Sequence, residues 1–345
     1  MTGYNFAAMK GKPIKTAVIG VGHLGGFHVE QLRQLPEADL TGVYDSDPER
    51  LATVSREQQV RAFATLEEAL DVAEAVSVVV PTAGHFQVAS QALEAGCHVF
   101  IEKPIARTLD EADRLLRLAE KCQRLIQVGH IERLNPALAV LDKYRLRPRF
   151  IEGHRLTSFS ERGTDVPVIL DLMIHDIDVV LHLIGSPVSE VRANGVQVIT
   201  DSIDIATARL EFENGAVANL TASRISQRPM RKLRIFQGSM YIGIDFLQQL
   251  TEVYQLIDSD RQPQEALLAI PFEYRGRRRL ITYEKPATEK YNALLMELRN
   301  FIRSVAGLEQ PAVDGYAARA ALDVAMQVQA AIDRGGPLPE GEAPS

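Results

Sequence analysis

Residues 20–25 read GVGHLG, and the flanking residues decide what the motif means. Before it stands IKTAVI (14–19), a β-branched apolar run of strand length. After it, LGGFHVEQLRQL (24–35) repeats its apolar residues at helical spacing until Pro36 ends the helix. A G-x-G-x-x-G between a strand and a helix gives each glycine a purpose. Gly20 permits the tight turn, Gly22 lets a pyrophosphate approach the backbone, and Gly25 allows helix and strand to pack closely. The helix start then offers free N–H groups and a positive dipole end to phosphate. Gly20, Gly22 and Gly25, with His23 and Leu24 between them, are therefore candidate dinucleotide contacts; His23 by itself faces solvent or phosphate.

Working outward, LTGVYD (40–45) is a second strand ending in Asp45, about 20 residues past the last glycine, as a dinucleotide fingerprint requires. A carboxylate there accepts from the adenosine ribose hydroxyls and repels a 2′-phosphate, so NAD is favoured over NADP. The plainer alternative is an aspartate that only opens the turn DSDP, with Asp47 capping the next helix. Strand and helix then keep alternating. DPERLATVSREQ is a helix, VRAF (60–63) a short third strand and VSVVVP (76–81) a strong strand. GHFQVASQALEAG is a helix, CHVFIEK (97–103) a strand, TLDEADRLLRLAEKC a helix and LIQVGH (125–130) a strand. Near-continuous apolar strands alternating with helices predict an α/β, doubly wound parallel sheet of the Rossmann type, ending near His130. The expected division is a nucleotide-binding domain over 1–130, with 1–13 a mobile leader, and a second domain over 131–345.

Beyond residue 148 the pattern changes to one long helix (about 167–184) and then strand-like runs joined by turn signals such as EFENGAV. An α+β domain on a large, open, mainly antiparallel sheet is expected. Two closing helices are predicted to pack back on the first domain, and the tail PLPEGEAPS is expected to be disordered. The net charge of −7 gives no overall attraction to nucleic acid or anionic membranes. Two cysteines make no disulfide framework, which suits a reducing cytoplasm. No metal site is expected.

Several motifs in order resemble one family, the Gfo/Idh/MocA oxidoreductases. They are the glycine turn, the segment with Pro81, Thr82 and His85, the EKP of Glu102, Lys103 and Pro104, VGHIERLNP (128–136), and the D-x-x-x-H of Asp171 and His175. The resemblance spans nearly the whole chain. It implies that Lys103 is catalytic or positions substrate, behind a strained or cis peptide to proline, and that Pro81, Thr82 and His85 line the nicotinamide side of the cofactor site, with Glu102 beside them. It also implies that Arg133, Asp171 and His175 meet the substrate. Leu134 stands where the family has phenylalanine. Val-Pro-Val-Ile and Leu-Met-Ile replace the family's glycines around Asp171, which changes the pocket wall and hence the substrate.

The helical run VPVILDLMIHDIDVVLHLIG (166–185) is apolar but for one stripe. At 100° per residue Asp171, His175, Asp178 and His182 fall within about 60° of one another, while Asp176 points elsewhere and drops out of the chemistry. Asp178 is expected to support His175, and His182 to be a core histidine. His154 and Arg155, on the strand before this helix, are candidate substrate contacts. The basic stretches at 228–234 and 275–279 read as solvated surface.

The resemblance implies NAD-dependent oxidation of a secondary hydroxyl on a sugar or nucleotide sugar. UDP-N-acetylglucosamine 3-dehydrogenation is the leading activity. An inositol or free-sugar dehydrogenase, and a non-catalytic NAD(H) sensor, are the alternatives. A homodimer or homotetramer through the open sheet is expected.

Overall fold

The computed structural model describes residues 12–160, 166–260 and 266–335. The expected leader, apart from its last two residues, and the expected disordered tail lie outside them. The chain divides into two compact units. One runs to Leu134 and takes in Tyr291–Ala320; the other is Asn135–Lys290 with the chain from Ala321 onward.

In the first unit the order is β1 (Ile14–Ile19), α1 (His23–Leu32), β2 (Ala38–Tyr44), α2 (Pro48–Gln58), α3 (Leu66–Val72), β3 (Ala75–Val78), α4 (Thr82–Glu94), β4 (His98–Glu102), α5 (Leu109–Cys122) and β5 (Ile126–Gly129). The strands form one parallel sheet in the order β2-β1-β3-β4-β5, the doubly wound topology expected. VRAF departs from expectation: it makes a single parallel bridge, Val43 to Ala62, and stops. Helix starts are set by side chains. Asp47 accepts from the Glu49 and Arg50 amides ahead of Pro48, and Thr65 and Thr108 cap α3 and α5.

The second unit begins with the short α6 (Pro136–Ala139) and β6 (Phe150–Leu156). A wide π-helical turn (Ile169–Met173) leads into α7 (Ile174–Ile184). Then come β7 (Val188–Val196), β8 (Ile205–Phe212), β9 (Val217–Ser223), β10 (Met230–Gln237), β11 (Met240–Asp245), β12 (Leu250–Asp258), β13 (Leu268–Tyr274) and β14 (Arg277–Glu284). They make a nine-stranded sheet, β13-β14-β12-β11-β10-β6-β9-β8-β7, antiparallel except where β6 meets β9. One face carries the core: Ile151, Leu220, Leu233 and Ile235 pack with Ile174, Ile177 and Val180 of α7. The open face shows alternating side chains, among them the ladder Phe150, Phe236, Tyr241, Tyr254 and Tyr283, whose successive ring centroids lie 5.0–5.7 Å apart.

Two further helices close the chain, α8 (Ala293–Val305) and α9 (Gly315–Gly335). α8 belongs to the first unit, where Leu295, Leu298, Phe301 and Ile302 join Val18, Val29, Leu32 and Phe100 in one core.

Candidate active site

The β1–α1 turn has the shape its glycines predict. Gly20 sits at φ 91°, where a side chain is strained, and a Cβ on it would lie 2.7 Å from the Val79 carbonyl oxygen. A Cβ on Gly25 would lie 2.0 Å from the Gly20 carbonyl oxygen, so helix and turn touch backbone to backbone. Gly22 is different: nothing lies within 4 Å of where its Cβ would be. It is also the N-cap of α1, with no side chain capping the helix start. The first N–H groups of α1 are thus left for a ligand.

This turn opens on a cavity of about 680 Å³ lined by Gly20, Gly22, His23, Leu24, Asp45 and Pro81 among others. Asp45, which also lines it, is buried. Its Oδ2 accepts the Val21 N–H at 2.8 Å and its Oδ1 the Asp47 N–H at 2.9 Å, while Arg50 lies 3.7 Å away. Each carboxylate oxygen can accept a second bond, so a ribose diol can be received without displacing either amide. The residues present fit a dinucleotide: an anion at Gly22 and the α1 N-terminus, a ribose at Asp45.

Of the residues expected on the nicotinamide side, Pro81 lines this cavity, together with Gly84 and Gln87; Thr82, the first residue of α4, does not. His85 is buried, with Nδ1 2.8 Å from the Pro104 carbonyl oxygen and Nε2 2.9 Å from that of Val80. Burial pulls its pKa below the ordinary value, against the pull of the two carbonyls. It is a clasp between the start of α4 and the turn after β4, and not the open ligand contact expected. Glu102 likewise turns inward. Its Oε1 is 3.0 Å from His28 Nε2, its Oε2 accepts the Lys103 N–H at 3.2 Å, and His28 Nδ1 is 2.7 Å from the Ser77 hydroxyl. Burial works to raise the Glu102 carboxyl's pKa. The His28 hydrogen bond and the charges of His28 and Lys103 outweigh it and hold the group below its ordinary value.

Lys103 directly follows β4, partly exposed, and the peptide joining it to Pro104 is cis. Arg133 directs one N–H to the Ala312 carbonyl at 3.1 Å. His28 and Ser77 were not singled out from sequence. The available signal was a histidine on the stripe of α1 that otherwise buries Gly25, Val29 and Leu32.

In the second unit the polar helix is not one regular α-helix. The Ile174 N–H returns to the Ile169 carbonyl, five residues back, so Asp171 lies in a π turn and the uniform 100° phase does not hold across it. Asp171 and His175 are partly exposed and Asp178 is buried. His182, expected in the core, is exposed at the last turn. Asp176 lies off the stripe, as expected, and has a structural use there. It is buried, and its Oδ1 and Oδ2 take Arg155 Nη2 at 2.7 Å and Nε at 3.1 Å. Arg155, only 2% exposed, is therefore a buttress locking α7 to β6 and not an open substrate contact. Its neighbour His154 points the other way, to the open face, where it sits opposite Lys232 of β10. Alternation along a strand forbids both from meeting a ligand beside α7.

On the same open face Lys232 pairs with Asp245 at 3.4 Å and Arg234 with Glu152 at 3.1 Å, the solvated pattern expected of that basic strand. The loop before β8 holds the start of the π turn. Asp204 takes the Val198, Ile199 and Thr200 amides on Oδ2 and the Thr200 hydroxyl on Oδ1, and the Ile203 carbonyl takes the Val168 N–H. Burial would raise the Asp204 carboxyl's pKa; those four bonds prevail and bring it to about 2.

A Rossmann sheet with a dinucleotide cradle, joined to an open-sheet unit carrying a D-x-x-x-H helix, defines a nucleotide-dependent dehydrogenase architecture. Comparison with known proteins agrees. Residues 14–130 match the oxidoreductase family with an NAD-binding Rossmann fold, and residues 120–239 match the GFO/IDH/MocA C-terminal domain. UDP-N-acetylglucosamine 3-dehydrogenase of Acidithiobacillus ferrooxidans is 38% identical over 93% of this chain and 97% of its own length. A structure of that enzyme superposes with a TM-score of 0.83, covering 93% of this chain and 98% of the other. Myo-inositol 2-dehydrogenase of Thermotoga maritima is 26% identical over 90% of this chain and 93% of its own. The chain belongs to the GFO/IDH/MocA oxidoreductase family.

Proposed function

We propose that this protein is an NAD-dependent dehydrogenase that oxidises a secondary hydroxyl of a nucleotide sugar, with UDP-N-acetylglucosamine, at its 3-hydroxyl, the leading substrate. The observation that carries the cofactor half is the unfilled space at Gly22, at an uncapped helix start, with Asp45 lining the same cavity. The substrate half rests on the 38% identity to the Acidithiobacillus enzyme over nearly the full length of both chains. Bound NAD supplies a hydride acceptor at nicotinamide C4. The Gly20–Gly25 turn binds the pyrophosphate, and Asp45 orients the adenosine ribose and opposes a 2′-phosphate. Lys103 or His175 takes the hydroxyl proton, and Asp171 and Arg133 help hold the sugar; Asp178 supports His175. The first unit is the NAD-binding domain and the second the substrate domain.

The open sheet face serves a second copy of the chain, giving a homodimer or a homotetramer, and the setting is cytoplasmic. The aromatic ladder and the β13 strand, all seven of whose residues are exposed, support that use. Among the described residues no helix is long and apolar enough to cross a membrane.

The test is nicotinamide reduction with NAD and, separately, UDP-N-acetylglucosamine, myo-inositol and glucose. Reduction with the nucleotide sugar alone is expected. Turnover of inositol in its place would move the protein to the inositol branch, and no turnover with any of them would leave the sensor reading. NADP in place of NAD is expected to be the poorer acceptor.

A further inference from the structure

Behind Lys103 lies a chain of three polar side chains from three different elements: the buried Ser77 of β3 and His28 of α1, and the partly buried Glu102 of β4. His28 and Ser77 are 1% and 2% exposed. A carboxylate can only accept, so the ring nitrogen facing Glu102, Nε2, carries the hydrogen. In a neutral ring Nδ1 is then the acceptor, and the Ser77 hydroxyl must donate to it. His28 thus joins the other two: its Nδ1 lies 2.7 Å from Ser77 Oγ, and its Nε2–H donates to Glu102 Oε1 at 3.0 Å. The other carboxylate oxygen, Oε2, receives the backbone N–H of Lys103.

The neighbouring strand makes room for this. Gly129 of β5 is the register partner of Glu102, and a Cβ on it would lie 3.0–3.1 Å from all three atoms of the carboxylate group. A glycine inside a strand weakens it and marks a close approach; here what approaches is Glu102. Packing alone does not call for such a set. Apolar residues at 28, 77 and 102 together would continue the apolar stripe of α1 and leave no polar group to satisfy there. The polar chain occurs at the residue that precedes Lys103, and its last bond is to the Lys103 backbone.

We propose that His28 is a positioning residue of the reaction: oriented by Ser77, it fixes the Glu102 carboxylate, and Glu102 fixes the backbone from which the Lys103 side chain is presented. The proposal rests on the reading of Lys103 as a group that meets the substrate hydroxyl. Small misplacements of a reacting group, on the order of 1 Å, cost roughly 100-fold in rate.

The test uses the full-length chain and four variants, His28→Leu, His28→Gln, Glu102→Gln and Lys103→Met. Three quantities are measured: kcat with UDP-N-acetylglucosamine (or whichever sugar of the panel is turned over), NADH affinity by fluorescence titration, and hydrogen exchange of the Lys103 amide. His28→Leu is expected to lower kcat by roughly 100-fold, leave NADH affinity within about twofold, and speed exchange at the Lys103 amide. His28→Gln, whose amide can donate from near the place of Nε2, is expected to restore most of both losses. If His28→Leu does not fold, Glu102→Gln decides. Its amide group sets an NH₂ against one of two donors, and normal kcat with normal exchange in it overturns the proposal.

Normal kcat in His28→Leu while Lys103→Met is inactive overturns the proposal and spares the reading of Lys103. Equal losses in His28→Leu and His28→Gln, or a loss confined to NADH affinity, also overturn it. Turnover retained by Lys103→Met removes the reading of Lys103 and the proposal with it. The exchange measurement needs no substrate, so unchanged protection in His28→Leu overturns the proposal whatever the panel shows.

Discussion

The glycine turn of the first unit and the polar helix of the second do comparable work by opposite means. At the turn the backbone itself is the instrument. Gly20, Gly22 and Gly25 each remove a side chain for a different reason: for Gly20 and Gly25 it is protein atoms within a few residues or one strand away, and for Gly22 it is open space for a ligand. At the helix the instrument is a set of side chains whose direction depends on a π turn and on partners from distant strands, Arg155 of β6 above all. A function made by backbone shows itself in residue type. One made by side chains is hidden until the partners are known.

That contrast can be broken or sharpened by substitution. The largest effect is expected in the helix. Asp176→Ala leaves Arg155 charged and buried, which should cost about 3–5 kcal/mol of stability in a denaturant titration. Replacing both, as Asp176→Leu with Arg155→Met, should recover most of it; no recovery would mean the pair does more than offset its own burial. Next comes Gly25→Ala, which drives a methyl against the Gly20 carbonyl. A loss of about 3 kcal/mol, the upper end for overpacking, should appear in the same titration.

Third is the loop that holds the π turn. The Asp204 carboxyl lies near 2 in the folded state, below its ordinary 3.8. A depressed folded value means the stabilisation is fully present above about pH 4 and is lost as pH falls toward 2. The contribution is about 2 kcal/mol. Asp204→Asn should flatten the acid limb of a stability–pH curve, and an unchanged limb would show that the carboxylate is not what holds the loop. The smallest effect on stability belongs to Gly22→Ala, since the added methyl meets nothing within 4 Å. Its thermal midpoint should match the parent, while NADH affinity in a fluorescence titration falls at least about tenfold as the methyl enters the phosphate's approach. A stable Gly22→Ala that binds NADH normally would show that the pyrophosphate does not come to this turn.

The same contrast explains how much could be read in advance. The parallel sheet and the open antiparallel sheet were legible because periodicity and turn residues are local signals. VRAF has the composition of a strand but pairs with β2 through one bridge only. The π turn leaves no mark in VPVILDLMIH that distinguishes it from an ordinary helix start, so a uniform phase misplaces Asp171 relative to the turns that follow. Helix periodicity places Asp176 off the stripe but cannot supply its partner, a strand residue twenty-one positions earlier. Arg155 was placed with its neighbour His154, although successive strand residues face opposite sides. Glu102 was noticed as part of EKP, but the carboxylate's partner, His28, is 74 positions away in sequence.

The packing of α8 has a consequence for chain order. The first unit's sheet is complete by Gly129, yet Leu295, Leu298, Phe301 and Ile302 supply one wall of its core. Arg299 closes on the buried Glu37 at 3.0 Å, and Asn292 reaches Gln31 at 3.1 Å. During synthesis the nucleotide-binding half must therefore wait, with Val29 and Leu32 uncovered, until every strand of the second unit has been made. A fragment stopped at Leu134 would inherit the glycine turn and Asp45 while lacking the cover of the helix behind them. A circularly permuted chain that brings 291–320 next to residue 14 would give this half its missing wall without the interruption.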